Sequence, residues 1–133
     1  MRDASIATLG RILLASLFLM SGVSKLGAPA ATMAYIASAG LPFAGVVYAL
    51  TLVVEIGAGL LLLIGFQARL AAGVLALFAI AAAFLFHNNF ADQNQIIHFL
   101  KNFAITGGLL QIAAVGAGRL SVDGRRAANL RRE

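Results

Sequence analysis

Residues 43–66 read FAGVVYALTLVVEIGAGLLLLIGF, an apolar run that contains a single carboxylate, Glu55. The run is longer than the roughly 20 residues that an α-helix needs to cross a bilayer. A charge left in hydrocarbon costs about 3 kcal/mol or more, so an ionisable residue within a span normally faces protein and has a partner there. The run therefore predicts a membrane-spanning helix that directs Glu55 into a helical bundle.

Three further apolar runs are long enough to span a membrane, at residues 6–26, 70–86 and 96–115. The whole sequence is 61% hydrophobic and 11% charged, whereas soluble domains are about half apolar and about a quarter charged. These features predict an all-α protein, a transmembrane four-helix bundle that forms one domain over residues 1–133. Small residues at every third or fourth position, Ala72, Ala76, Ala79 and Ala83, predict a packing seam on the third span.

The basic residues predict the orientation of the bundle. Lysine and arginine in short loops mark the cytoplasmic side of a membrane. With four spans, both termini and the middle loop lie on one side, and that side holds most of the arginines: Arg2, Arg69, Arg119, Arg125, Arg126, Arg131 and Arg132. We therefore predict an N-in, C-in protein of the bacterial cytoplasmic (inner) membrane, with a basic cytoplasmic tail over residues 119–133. The net charge of +5 is explained by this bias, so nucleic acid is not an expected partner.

Two segments near the N-terminus allow alternatives. The first apolar run followed by Ala28-Pro29-Ala30 has some features of a secretory signal peptide, but Lys25 between the run and the small residues disfavours it. Residues 27–42 are too short and too polar to span, and Pro29 suits a first helical turn. A short interfacial helix and a plain connector are both compatible with this segment.

Glu55 requires a partner within the bundle, and depth along the spans suggests which cations can reach it. At 1.5 Å per residue, Arg11 and Lys101 come within about 10 Å of its level, whereas Lys25 lies nearer the external end. We therefore expect Glu55 to pair with Arg11, Lys101 or both. Tyr48, Thr51 and Asn102 are expected to satisfy its remaining lone pairs, and His98 lies one turn before Lys101 and Asn102 on the same helical face.

Three roles for such a cluster remain open from the residues alone. A buried ion pair can fix which helices pack together. The same groups can bind the head group of a quinone or a small anion, or can take part in the transport of a small solute or protons. No metal is expected, because the spacing of His87, Asp92 and His98 matches no common zinc arrangement. The sequence has no cysteine, which excludes thiol chemistry within the chain.

A series of short motifs resembles one known family. In order along the chain they are Arg11, Gly22, Lys25-Leu26, Glu55-Ile56-Gly57-Ala58-Gly59, Gly65, Arg69, Lys101-Asn102, Gly107-Gly108-Leu109, Gly116-Ala117-Gly118 and Ser121-Val122-Asp123. This order and spacing resembles the DoxX family of small bacterial four-helix membrane proteins, over nearly the whole chain.

The resemblance implies a role in redox chemistry at the membrane. Some members are similar to the membrane subunit of a thiosulfate–quinone oxidoreductase, and others are linked to complexes that handle oxidative or thiol stress. From this resemblance we expect an accessory subunit of a quinone-linked redox system. The cofactor is left open, with a quinone as the candidate, and redox proteins or a second copy of the chain are candidate partners beside the lipid bilayer. A structural scaffold without ligand and a small-solute or proton transporter are the alternatives. Whether the chain is itself an enzyme is left open, and any enzymatic role would be that of an oxidoreductase subunit.

Overall fold

The computed structural model describes residues 2–132, and every regular element within that range is helical. In chain order the elements are α1 (Arg2–Leu26), α2 (Pro29–Ser38), α3 (Ala44–Leu52), a π-helix (Val53–Ala58), α4 (Gly59–Ile64), α5 (Ala68–Phe86), α6 (Gln93–Val115) and α7 (Val122–Leu130). The all-α prediction is confirmed.

Four helical segments are long and apolar enough to cross a membrane: Arg2–Leu26, Ala44–Ile64, Ala68–Phe86 and Gln93–Val115. The second of them comprises α3, the π-helix and α4 in continuous succession. The four predicted spans are thus confirmed, with ends that differ by a few residues from the apolar runs. The differences arise because polar residues at the start of α1 and α6 continue the helix beyond the hydrocarbon-compatible part of the sequence.

The core is small and rich in alanine. Ala72, Ala76, Ala79 and Ala83 are all buried on α5, as the small-residue pattern predicts. Their small side chains allow neighbouring helices to approach closely. Leu62, Leu75 and Leu109 are fully buried and fill the space between the second, third and fourth spans.

Large apolar side chains cover the outside of the bundle. Leu13, Met20, Leu77 and Val115 each expose more than 60% of their surface. A water-soluble monomer rarely exposes a continuous apolar surface of this extent. The distribution suits a protein whose spans contact lipid.

The two ends of the bundle differ in structure. At one end, which we call the loop end, α2 folds over the spans: Ile36 is 3% exposed, and the Tyr35 ring stacks on Phe86 with centroids 5.2 Å apart. The segment between spans 1 and 2 is therefore a helix rather than a plain connector.

At the opposite end, which we call the terminal end, α7 occupies much of the basic tail predicted over residues 119–133. The Ser121 hydroxyl accepts a hydrogen bond from the Gly124 N–H (3.0 Å) and caps α7. The Asp123 carboxylate accepts hydrogen bonds from the N–H groups of Gln67 (3.0 Å) and Ala68 (2.9 Å). These amides would otherwise be unpaired donors at the start of α5, so Asp123 links α7 to the turn between the second and third spans.

Candidate functional site

Glu55 pairs with Lys25. The Lys25 ammonium donates hydrogen bonds to both carboxylate oxygens, Oε1 and Oε2, at 3.0 Å each. Ser21, one turn earlier on α1, accepts a hydrogen bond from Lys25 (2.6 Å) and donates one to Glu55 Oε1 (3.0 Å). Among the described residues this is the one ion pair within 4 Å. Three side chains thus form a closed polar group between α1 and the π-helix.

The expectation that Glu55 pairs with Arg11 or Lys101 is wrong, and side-chain direction is the reason. The Cα–Cβ bond of a helical residue tilts towards the helix N-terminus. Lys25, near the C-terminus of α1, is therefore directed into the bundle, while Glu55 is directed towards the loop end, where Lys25 lies. Arg11 is directed towards the terminal end and Lys101 towards the loop end, so both point away from the level of Glu55.

The expected hydrogen-bond partners of the carboxylate also differ from those observed. Ser21 takes the role expected of Tyr48, Thr51 and Asn102. Tyr48 instead donates its hydroxyl to the backbone carbonyl of Lys25 at 2.9 Å, which fixes the end of α1. Ser21 lies four residues before Lys25, so the helical spacing of the two could have identified it.

The backbone around Glu55 is itself unusual. Residues Val53–Ala58 form a single short π-helical turn within the second span, and Glu55 lies in it. Such single π turns occur often at functional sites. On the facing helix, a Cβ added at Gly22 would lie 2.6 Å from Ile56 Cγ1 and 3.3 Å from Glu55 Cβ. Gly22 thus permits α1 to approach the π-helix closely enough for the Lys25–Glu55 pair to form.

A cavity of about 420 Å³ adjoins this polar group at the loop end. Its polar lining residues are Ser21, Lys25, Thr32, Thr51, Glu55, His87, His98, Lys101 and Asn102. Its apolar walls include Leu17, Phe18, Tyr35, Phe78, Phe86 and Ile105. The structure therefore brings Glu55, Lys25, Thr51, His98, Lys101 and Asn102 to one cavity, while Arg11 and Tyr48 lie outside its lining.

This cavity contains a positive charge and hydrogen-bond donors that have no partner in the described part of the chain. The charges of Lys25 and Glu55 cancel, whereas the side chains of Lys101 and Asn102 have no hydrogen-bond partner among residues 2–132. The cavity thus carries one uncompensated ammonium group and an unpaired amide. These groups can donate hydrogen bonds to an incoming acceptor, such as a carbonyl or an anionic oxygen.

The histidines at the mouth of the cavity interact with each other. The rings of His87 and His98 stack with centroids 5.1 Å apart, and His87 Nδ1 lies 3.0 Å from Gln95 Oε1. The Asp92 carboxylate accepts a hydrogen bond from the Asn94 N–H (2.9 Å) and caps α6. Within the described part of the chain, no three His, Cys, Asp or Glu side chains are grouped closely enough to hold a metal ion.

Arg11 belongs to a second polar cluster, at the terminal end. Its guanidinium donates to the backbone carbonyls of Leu62 and Leu63 and, at 2.9 Å, to that of Leu120. The first two carbonyls belong to the last turn of α4, where carbonyls lack their usual donor four residues on; that of Leu62 also accepts a hydrogen bond from the Gly65 N–H (3.2 Å). Arg11 therefore joins α1, α4 and the segment before α7.

Residues 6–88 match the family model described as DoxX. The chain belongs to the DoxX family. The resemblance inferred from the ordered motifs is thereby confirmed.

Two relatives from Escherichia coli strain K12 support the assignment to DoxX. The inner membrane protein YqjF is 40% identical over 113 residues, which cover 85% of each chain. The inner membrane protein YphA is 29% identical over 122 residues, which cover 88% of this chain and 87% of YphA. No solved structure matches this DoxX protein. Together with the four spans, these relatives establish a multi-pass protein of the bacterial inner membrane, in contact with the lipid bilayer.

Proposed function

We propose that this protein binds the head group of a membrane quinone in the loop-end cavity, as an accessory subunit of a quinone-linked redox system. The observation that carries the proposal is the pair of unpartnered donors, Lys101 and Asn102, across a cavity whose other wall holds the Lys25–Glu55 pair. The carbonyl oxygens of a quinone accept hydrogen bonds from such donors, and its ring suits walls that contain Phe78 and Phe86.

The residues of the cavity also offer a route for protons. Reduction of a quinone consumes protons as well as electrons. Lys25, Ser21 and Glu55 form a continuous hydrogen-bonded chain on the cavity wall, and a carboxylate within such a chain can exchange a proton with a bound group. In this scheme the protein binds and orients the quinone and exchanges protons with it.

The electrons would come from a partner protein. The sequence has no cysteine, so this chain cannot form a dithiol–disulfide couple of its own. We therefore propose a redox-active partner subunit, for which this protein supplies the quinone site. Assembly with a second copy of the chain also remains a proposal.

The quinone content of the purified protein tests this function. The protein would be extracted mildly from its own membrane, and quinone would be measured in the parent, in Lys101→Met and in Glu55→Gln. Arg2→Met, which removes a charge at the opposite end of the bundle, is the matched control. We expect close to one quinone per chain in the parent and in Arg2→Met, and loss of quinone in Lys101→Met and Glu55→Gln. Absence of quinone from the parent, or equal retention in all variants that remain folded, would overturn the proposal.

A structural scaffold is the second candidate, and one observation favours it. Lys25, Ser21 and Glu55 all hydrogen-bond to one another, so each of them has a partner without a ligand. If the group serves only to fix α1 against the second span, Glu55→Gln should lower the melting temperature while neither parent nor variant contains quinone. The same purification therefore separates the two functions.

A further inference from the structure

At the terminal end, remote from the cavity around Glu55, a second and larger cleft separates α7 from the ends of α5 and α6. Its volume is about 1190 Å³. Small residues form part of its lining, among them Gly116, Ala117 and Gly118. Five arginines line it: Arg69, Arg119, Arg125, Arg131 and Arg132.

The charge of this cleft is strongly positive. Asp123 is the one carboxylate among its described lining residues, and both of its oxygens already accept hydrogen bonds from the amides of Gln67 and Ala68. Arg69 donates to the carbonyl of Ala114 at 2.6 Å. The guanidinium groups of Arg119 and Arg125 have no ion-pair or hydrogen-bond partner among residues 2–132. The cleft thus presents unpaired guanidinium groups, which favour phosphate oxygens as bidentate partners.

The position of the cleft along the spans indicates which kind of molecule would carry such a phosphate. The start of α5, at Ala68 and Arg69, and the end of α6, at Val115, lie on its rim. The 19 residues of α5 correspond to a length of about 28 Å, close to the roughly 30 Å of the hydrocarbon core. The ends of these spans, and therefore the cleft, lie at the level of the lipid head groups.

We propose that the cleft between α7 and the ends of α5 and α6 is a binding site for the phosphate of an anionic phospholipid. The grounds are its positive charge, its unpaired guanidinium groups and its position at the level of the lipid head groups. Arg119 and Arg125 are the principal contacts. Arg126 is the neighbour of Arg125 on α7, yet it does not line the cleft; its guanidinium lies over the Phe66 ring, 5.5 Å from the centroid. The site is independent of the function proposed for the loop-end cavity.

The test compares two double variants with equal loss of charge. Arg119→Gln/Arg125→Gln removes two cleft arginines, and Arg2→Gln/Arg126→Gln removes two arginines outside the cleft. The purified full-length proteins would be titrated in detergent with phosphatidylglycerol and, separately, with zwitterionic phosphatidylcholine of the same acyl chains, and bound lipid would be counted by native mass spectrometry. A thermal melt of each variant checks folding. If the cleft double variant does not fold, Arg125→Gln and Arg126→Gln replace the pair.

We expect the parent to prefer phosphatidylglycerol, and the cleft variant to bind it at least roughly tenfold more weakly, since each lost arginine removes an attraction to the anionic head group. The control variant should stay within about twofold of the parent. Equal losses in the two double variants would mean that general surface charge attracts the lipid, and would overturn the proposal. Equal binding of the two lipids would overturn it also. Displacement of the lipid by inorganic phosphate at equal concentration would instead identify a site for a free anion and contradict the lipid assignment.

Discussion

Individual residues of the Lys25–Glu55 pair differ in their access to solvent. The Glu55 side chain is 4% exposed, whereas that of Lys25 is 29% exposed. An unpaired charge is most costly where it cannot reach water. The two partners are therefore not equivalent: loss of the lysine leaves a buried carboxylate, and loss of the carboxylate leaves an ammonium that can still reach the rim of the cavity.

We predict that Lys25→Met lowers the free energy of unfolding by about 3 kcal/mol or more, and Glu55→Gln by roughly half as much. Unfolding in mixed detergent micelles, followed by circular dichroism, measures both. The charge-swapped variant Lys25→Glu/Glu55→Lys should recover part of the loss, because the pair can form again. Equal losses in the two single variants, with no recovery in the swap, would contradict the asymmetric pair.

The sequence was sufficient to identify Glu55 as a buried, paired carboxylate, but not to identify its partner. Depth along the spans placed Arg11 and Lys101 nearer to it than Lys25. The level of a residue along its span does not include the tilt of its side chain towards the N-terminus of its own helix. This tilt directs Lys25 towards the level of Glu55 and directs Arg11 away from it. Ser21 was missed because a serine in an apolar helix has no distinctive pattern beyond its spacing from Lys25.

At the terminal end, a tight turn at Gly65 joins α4 to α5. This residue ends α4 with φ +70°, a left-handed conformation that residues with a side chain rarely adopt. A Cβ there would overlap the Cβ of Ser121 and would lie 3.1 Å from the Cβ of Ala117 and from Nη1 of Arg11. The turn, the segment before α7 and the Arg11 guanidinium therefore pack against one another without space for a methyl group.

Gly65→Ala should accordingly destabilise the protein by about 2 kcal/mol, the sum of left-handed strain and overpacking. Gly73→Ala is the matched control, because a Cβ at that helical position meets nothing within 4 Å. It should be neutral, or stabilising by up to roughly 1 kcal/mol. The melting temperatures of the two variants make the comparison, and a Gly65→Ala protein as stable as Gly73→Ala would show that the turn tolerates a side chain.

Helix α7 should depend on Asp123, whose carboxylate joins it to the start of α5. We expect Asp123→Ala to lower stability by about 1–2 kcal/mol, as loss of a helix cap does, and to expose α7 to proteolysis. Limited trypsin digestion in detergent would show faster cleavage after Arg125 and Arg126 than in the parent. Asn129→Ala, on the same helix, is the control and should be cleaved at the parental rate. Unchanged cleavage in Asp123→Ala would mean that other contacts hold α7.

The secondary-structure elements differ in how well the sequence predicts them. Hydropathy predicts the four spans, because a run of apolar residues long enough for the bilayer has few alternatives. The π-helix could not be predicted, since Val53–Ala58 has, apart from Glu55, the same apolar composition as the α-helical residues around it. The sequence predicts only a basic tail where α7 forms, because the Asp123 contacts that join α7 to the bundle reach a turn more than 50 residues away in sequence.

The whole molecule has a polar cluster at each end of an apolar bundle. The Lys25–Glu55 group adjoins the loop-end cavity, and the Arg11 cluster joins the turn at Gly65 to the segment before α7. The arginines are concentrated at the terminal end, which supports the predicted N-in, C-in orientation. That orientation, like the assignment of residues 1–133 to a single domain, remains a prediction.

The absence of cysteine makes this orientation easy to test. Single substitutions Asn89→Cys, in the loop between α5 and α6, and Asn129→Cys, on α7, would be labelled in intact cells with a membrane-impermeant maleimide. We expect Asn89→Cys to be labelled from outside, and Asn129→Cys only after the cells are lysed. The reverse pattern would show that the bundle is inverted in the membrane.

Photo-crosslinking is the direct test of the proposed binding of a quinone in the loop-end cavity. The protein would be reconstituted in lipid with an azido-quinone, illuminated and digested, and the labelled peptides identified by mass spectrometry. We expect label on peptides that contain the cavity residues of α1, the π-helix and the start of α6, and loss of that label in Lys101→Met. Label confined to lipid-facing residues such as Leu13 and Leu77, unchanged in Lys101→Met, would contradict the proposal.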